Sequence, residues 1–151
     1  MSELSENQLE TLETARAGVE AYQRGDIDAV VALIHDEGEI FLPPELPNSG
    51  TYRGRDGFLT WLAHWLEAWE DFSIELRDPK PVGQRHEVAT MHQSARGKGS
   101  GIPVEMDIAY MWEVRDGRIA AMHLYASPEK AMRVAEQRER ASAIGNPEST
   151  D

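Results

Sequence analysis

His92 is the side chain of this sequence best suited to move a proton near neutral pH, and it lies in a stretch, 86–96, that alternates as strands do. Tyr110 lies on a second such stretch, where its phenol could donate a hydrogen bond to a developing oxyanion. Arg96, four residues beyond His92, would clamp an anion near the rim of a site built on these strands. A base, an electrophilic donor and an anion clamp together describe proton transfer that needs no cofactor, and none is expected. Other chemistries fit less well. His86 and His92 are six strand residues apart, roughly 20 Å at 3.3 Å each, too far to share an ion, so no metal site is expected. Gly97-Lys98-Gly99-Ser100-Gly101 lacks the spacing of a phosphate loop and reads as a hairpin tip. Ser94 has no nucleophile-elbow pattern around it.

The elements that must position these groups follow from periodicity. Leu9, Leu12, Ala15, Val19 and Tyr22 recur at spacings of three and four, which predicts a helix over 8–24. Gly25 suits the left-handed position at its end, and Asp26 suits the cap of a second helix, 27–34. Residues 39–42 read as a short strand and 43–50 as a loop rich in proline and glycine. A third helix, 56–70, carries Phe58, Leu62, Trp65 and Trp69 on one stripe, widened by Trp61 and Leu66. Three tryptophans there imply deep burial, since each ring buries about 200 Å². They either fill a core or line a cavity.

After Asp71 the period changes to two. Phe72, Ile74 and Leu76 make a strand that Pro79 and Pro81 should stop, and strands at 86–96, 102–114 and 118–126 follow. In the clearest of these, Val104, Met106, Ile108, Tyr110, Trp112 and Val114 share one face. The turn Arg115-Asp116-Gly117 leaves two registers. A two-residue loop sets Tyr110 opposite His123; a three-residue loop with a bulge at Gly117 sets it opposite Met122. The second matches Met122, Leu124 and Ala126 to the apolar face and is preferred. Ser127, Pro128 and Glu129 open a last helix reaching about Arg140, and residues 146–151 should fray.

The chain has 151 residues, which suits a single domain over 1–151 with an ordered core at about 8–140. It has no cysteine, which excludes disulfides, thiolate metal sites and a cysteine nucleophile. The net charge is −12, and residues 1–50 hold 11 acids against 2 bases, so nucleic acid is not an expected partner. No apolar run approaches the ~18 residues that span a bilayer, and the acidic start is unlike a signal peptide. The expectation is a cytoplasmic, bacterial protein without a membrane partner.

Helix, helix, short strand, helix and a long antiparallel meander make an α+β order. On that order, Gly25-Asp26-Ile27-Asp28-Ala29, Tyr52-Arg53-Gly54-Arg55-Asp56-Gly57 and Trp112-Glu113-Val114-Arg115-Asp116-Gly117-Arg118-Ile119 resemble the SnoaL-like branch of the nuclear transport factor 2-like superfamily, which includes ketosteroid isomerase. The resemblance runs from about residue 8 to 135. It implies a cone in which three N-terminal helices close a curved, mostly antiparallel sheet around an apolar pocket, with a C-terminal helix beyond. It also places the isomerase base at Leu42, its tyrosine at Gly18 and its oxyanion aspartate at Tyr110, so that mechanism is not carried over. Related cyclases and epoxide hydrolases use an aspartate on the last strand, where this chain reads His123-Leu124-Tyr125-Ala126-Ser127.

Within such a cone, Thr90, His92, Ser94 and Arg96 are expected on the concave side, with His92 as base and Tyr110 as donor. Tyr22, one helical turn past Gly18, would reach the same cavity. Trp61, Leu62, Trp65, Arg96, Met106, Ile108, Trp112, Met122 and Leu124 complete the expected ligand-binding set around a small apolar or aromatic molecule. The convex face would expose Ala89, Met91, Ala109, Met111, His123 and Tyr125, an apolar patch suited to a homodimer. Three functions stay open: a binding cone without turnover, a cofactor-free isomerase, cyclase or hydrolase using His92 and Tyr110, and a structural dimer whose cavity is filled by its own side chains.

Overall fold

The computed structural model describes residues 3–46 and 48–144, and its elements follow in order as α1 (Glu6–Gln23), α2 (Ile27–Ala32), β1 (Ile34–Leu42), β2 (Gly50–Arg53), α3 (Gly54–Glu67), β3 (Trp69–Val82), β4 (His86–Gly97), β5 (Pro103–Arg115), β6 (Arg118–Tyr125) and α4 (Pro128–Ile144). The fold is α+β. Six strands form one sheet in the order β2-β1-β6-β5-β4-β3, antiparallel throughout except where β1 runs parallel to β6. Residues 146–151, expected to fray, lie outside the described residues.

Helix starts are written in the sequence. Ser5 accepts from the Gln8 amide while the Gln8 side chain accepts from the Ser5 amide, a reciprocal cap at the head of α1. Asp26 caps α2 by accepting from Ala29, and Ser127 caps α4 by accepting from Lys130. Two strands, β1 and β3, are much longer than their patterns suggested. β1 begins at Ile34, its register against β6 shifting between Ile34 and Glu39. Gly38 sits in that irregularity, where a Cβ would come within 3.0 Å of the Ile119 carbonyl oxygen and 3.1 Å of that of His35. β3 runs through Pro79 and Pro81 because it is an edge strand, where a missing N–H need cost no ladder bond. Residues 50–53, of which 50 fell at the end of the expected loop, pair with β1 as β2.

The hairpin at Asp116-Gly117 differs from the preferred reading. Both residues have positive φ, 55° and 70°, so the turn is the tight two-residue kind, and Arg115 pairs with Arg118. A bulge between Glu113 and Val114 then shifts the register, leaving Ala120 over on β6 and setting Tyr110 opposite Leu124, not Met122. The extra residue restores the face assignment by another route: Met122 and Leu124 still share the apolar face with Tyr110 and Trp112.

Helices α1 to α3 pack on that face and make the main core with β1, β4, β5 and β6. The convex face is not open. Helix α4 lies across it, with Ala131 and Ala135 fully buried against Val82, Val88, Ala109, Met111 and Tyr125. Two small residues one turn apart let the helix sit close to the strands. Ala89 and Met91, expected on the convex side, belong to the core inside the cone. The apolar patch that suggested a homodimer is therefore sealed by the chain's own last helix.

Candidate functional site

The inner face of the sheet and the three helices line a cavity of about 70 Å³. Its α1 wall is Ala15, Gly18, Val19 and Tyr22; Phe58, Trp61 and Leu62 of α3 roof it. Met91, Tyr110, Trp112, Ile119 and Met122 supply the sheet side. The aromatic packing follows from local spacing: on helix α3 Phe58 and Trp61 lie 5.7 Å apart and Trp61 and Trp65 6.2 Å, and on strand β5 Tyr110 stacks obliquely on Trp112, two residues on, at 5.2 Å.

Of the residues expected to bind, Tyr22, Trp61, Leu62, Trp112 and Met122 line the cavity, and so does Tyr110. Trp65, Ile108 and Leu124 stand behind the wall in the same core, and Met106 packs against its edge. Two residues are elsewhere. His92 points to the convex side, because β4 turns its odd positions, Ala89 and Met91, into the cone and its even position Val88 toward α4. There His92 bridges two carboxylates of β5, Asp107 at 2.6 Å and Glu105 at 3.0 Å. The Asp107 hydrogen bond raises its pKa, so the ring is drawn toward its charged form rather than kept as a free base. Arg96 follows the same even parity, reaching the Gly101 carbonyl at 3.2 Å and Asp71 at 3.8 Å. The paired base and donor drawn from the sequence thus lie on opposite faces of one sheet.

Polar groups inside the cone are few and poorly matched. The Gln93 Nε2 donates to the Tyr110 hydroxyl at 3.2 Å, while the Gln93 Oε1 and the Trp61 Nε1 are buried without partners among the described residues. Burial pushes the Tyr110 phenol well above its ordinary range and the Tyr22 phenol up to about 12, so both stay neutral. Neutral phenols can donate or accept but cannot take a proton at neutral pH. Glu87, next to His86 on β4, is fully buried with neither carboxyl oxygen partnered, and burial pushes it up to about 8. Gln93 and Glu87 were missed by sequence reasoning. Their signal was parity: both share odd numbering with Ala89 and Met91.

A second set of ionisable groups lies under α4, away from the cavity. Glu139 accepts from His86 at 2.5 Å and from the Gln84 and Arg85 amides; Arg138 joins Glu113 to Glu39, and Glu39 holds His123 at 2.6 Å. This network fastens a helix.

Comparison with known proteins bears on the fold. Residues 15–122 match the family model described as a SnoaL-like domain. A search of curated proteins finds no match. Among solved structures, a putative SnoaL-like polyketide cyclase from Jannaschia sp. CCS1 aligns with TM-score 0.72 at 13% identity, over 90% of this chain and 98% of that one. TerC co-crystallised with polyporic acid aligns with TM-score 0.69 at 19% identity, over 84% and 98%. A hypothetical protein with a ketosteroid isomerase-like fold from Catenulispora acidiphila DSM 44928, in complex with trimethylamine, aligns with TM-score 0.66 at 20% identity, over 78% and 87%.

Proposed function

The chain belongs to the SnoaL-like domain family, and from that premise we propose that it is a small-molecule-binding cone whose ligand is compact and largely apolar. The observation that supports this most is an apolar void kept open between aromatic side chains, beside buried polar atoms that lack partners. Leaving about 70 Å³ empty costs a fold roughly 2 kcal/mol, and a ligand that fills it recovers part of that. The size also limits the ligand. Preformed pockets for drug-sized molecules run to about 300 Å³ or more, and a cavity of about 150 Å³ holds benzene, so a few heavy atoms fit here without rearrangement. Of the ligands in the similar structures, trimethylamine is of this scale and polyporic acid is not.

A second reading is favoured by the same small volume: a core that its own side chains fill, with no ligand. A dimer of such cones through the convex face would have to form on, or in place of, α4. An enzyme using His92 with Tyr110 is not supported by their placement on opposite faces.

Titration with compact molecules, followed through the emission of Trp61 and Trp112, separates the first two readings. Gly18→Ala sharpens the test. Gly18 lines the cavity from inside α1, and a Cβ there would meet Ile119 at 3.6 Å and Leu33 at 3.9 Å, ordinary contact distances. The variant should gain about 1 kcal/mol of stability, as alanine for a helical glycine does, while binding weakens severalfold. Emission that no compact molecule changes, in either protein, would support the filled core.

A further inference from the structure

Two carboxyls, Glu87 and Glu113, are buried in the described fold. Glu113 is held by Arg138 and Arg115 under α4. Glu87 has nothing: both of its oxygens lie in a wholly inaccessible position without a hydrogen-bond partner among the described residues. Such a group is costly in either protonation state unless something completes it.

Its place in the fold points to what that is. Glu87 pairs across the ladder with Trp112, whose side chain lines the cavity, so the carboxyl and the indole are neighbours on the inner face. Five of the fifteen residues lining the cavity are aromatic, Tyr22, Phe58, Trp61, Tyr110 and Trp112, the rest are apolar or glycine, and no lysine, arginine or histidine lines it among the described residues. Aromatic faces are negative and attract a cation, while the wall's donors to an anion, the Trp61 N–H and the phenol hydroxyls, are neutral and bring no charge. Taking this together, and resting on the binding reading above, we propose that the ligand is a small protonated amine, its alkyl part held between the rings and its N–H groups donated to Glu87. Glu87 is not among the residues that line the cavity, whereas its ladder partner Trp112 is, so an N–H group would reach the carboxyl only with the indole turned aside.

The surroundings of Glu87 leave it free to respond to such a ligand. On β3 it faces Pro81, and on β4 its inner-face neighbour is Ala89. On β5 the inner face offers Trp112 and the Tyr110 phenol, and the buried face of α1 is uncharged. His86, Glu113, Arg138 and Glu139 are gathered on the far side of the sheet, under α4. Apart from that phenol, no titratable group of these elements faces the carboxyl. Without ligand it therefore holds its proton near neutral pH and must release it to bind a cation.

The test uses two probes of one shape, tert-butylammonium and tert-butanol, titrated into the full chain at pH 8.5 with tryptophan emission and calorimetry as readouts. The cation should bind at least tenfold more tightly, and Glu87→Gln should bring the two to equal affinity while tert-butanol binding persists. In the unaltered protein the cation's affinity should fall about tenfold per pH unit below about pH 8, with tert-butanol unaffected, a measurement that does not depend on how the variant folds. Equal affinities, a preference that survives Glu87→Gln, or a flat pH profile would each overturn the amine while leaving the cavity reading in place. Binding of neither probe would overturn both.

Discussion

Burial that pushes the Glu87 carboxyl up to about 8 has a consequence for stability as well as for binding. The unfolded chain releases this proton near 4.5, whereas the folded chain keeps it to about 8. The contribution is fully present below pH 4.5 and is lost as pH rises toward 8, a difference of at most about 5 kcal/mol. Glu87→Gln is neutral at every pH. Its urea midpoint should lose this slope between pH 5 and 9, and at pH 9 it should exceed that of the parent. Tyr110 shows the residue-scale opposite: its environment holds it neutral and hydrogen-bonded to Gln93, so it stiffens the wall without titrating.

At the scale of an element, α4 is the part of the fold most sensitive to acid. Burial works against ionisation of Glu113, but hydrogen bonds from His86 and Arg138 and the Arg138 charge outweigh it and hold the carboxyl well below its ordinary range. Glu139 is lowered in the same way, against burial, by His86 and by the Arg85 and Gln84 amides, and Glu39 by His123, Arg138 and Arg53. Carboxyls with depressed folded values stabilise the native state above about 4.5, and that stability is lost as pH falls through the folded values. Hydrogen exchange should therefore show α4 amides losing protection between pH 5 and 3 before those of β4 and β5. Arg138→Met removes the charged hydrogen bonds to one Glu113 oxygen while Arg115 keeps the other, and should cost about 2 kcal/mol by urea unfolding at pH 7.

For the whole molecule, α4 decides what the sheet shows to solution. Ala135 is completely buried, so Ala135→Arg should lift the helix and uncover Val88, Ala109, Met111 and Tyr125. Light scattering should then give a mass that climbs with concentration above the 16.9 kDa of one chain, more steeply than for the parent, while circular dichroism retains the strand signal. No helix of the described residues is long and apolar enough to cross a membrane.

The helices, two of their caps and the apolar face of β5 were legible in the sequence because each is fixed by neighbours a few residues away: Asp26 with Ala29, Ser127 with Lys130, and Tyr110 with Trp112. Burial of Trp61 and Trp65 followed from spacing, but the helix ends at Glu67, so Trp69, expected on the same stripe, opens β3 half-buried, and of the three only Trp61 lines the cavity. The inward face of β4 was misjudged because Thr90, His92, Ser94 and Arg96 look like a site, while Ala89 and Met91 beside Glu87 and Gln93 look mixed. Only the ladder to β5, which sets Met91 against Ile108 and His92 against Asp107, decides which set enters the cone. Register, the covering of the convex face by α4 and the isolation of Glu87 are products of contacts between residues far apart in the chain. A strand's own alternation separates two faces, but which one is buried depends on the helix that arrives from elsewhere.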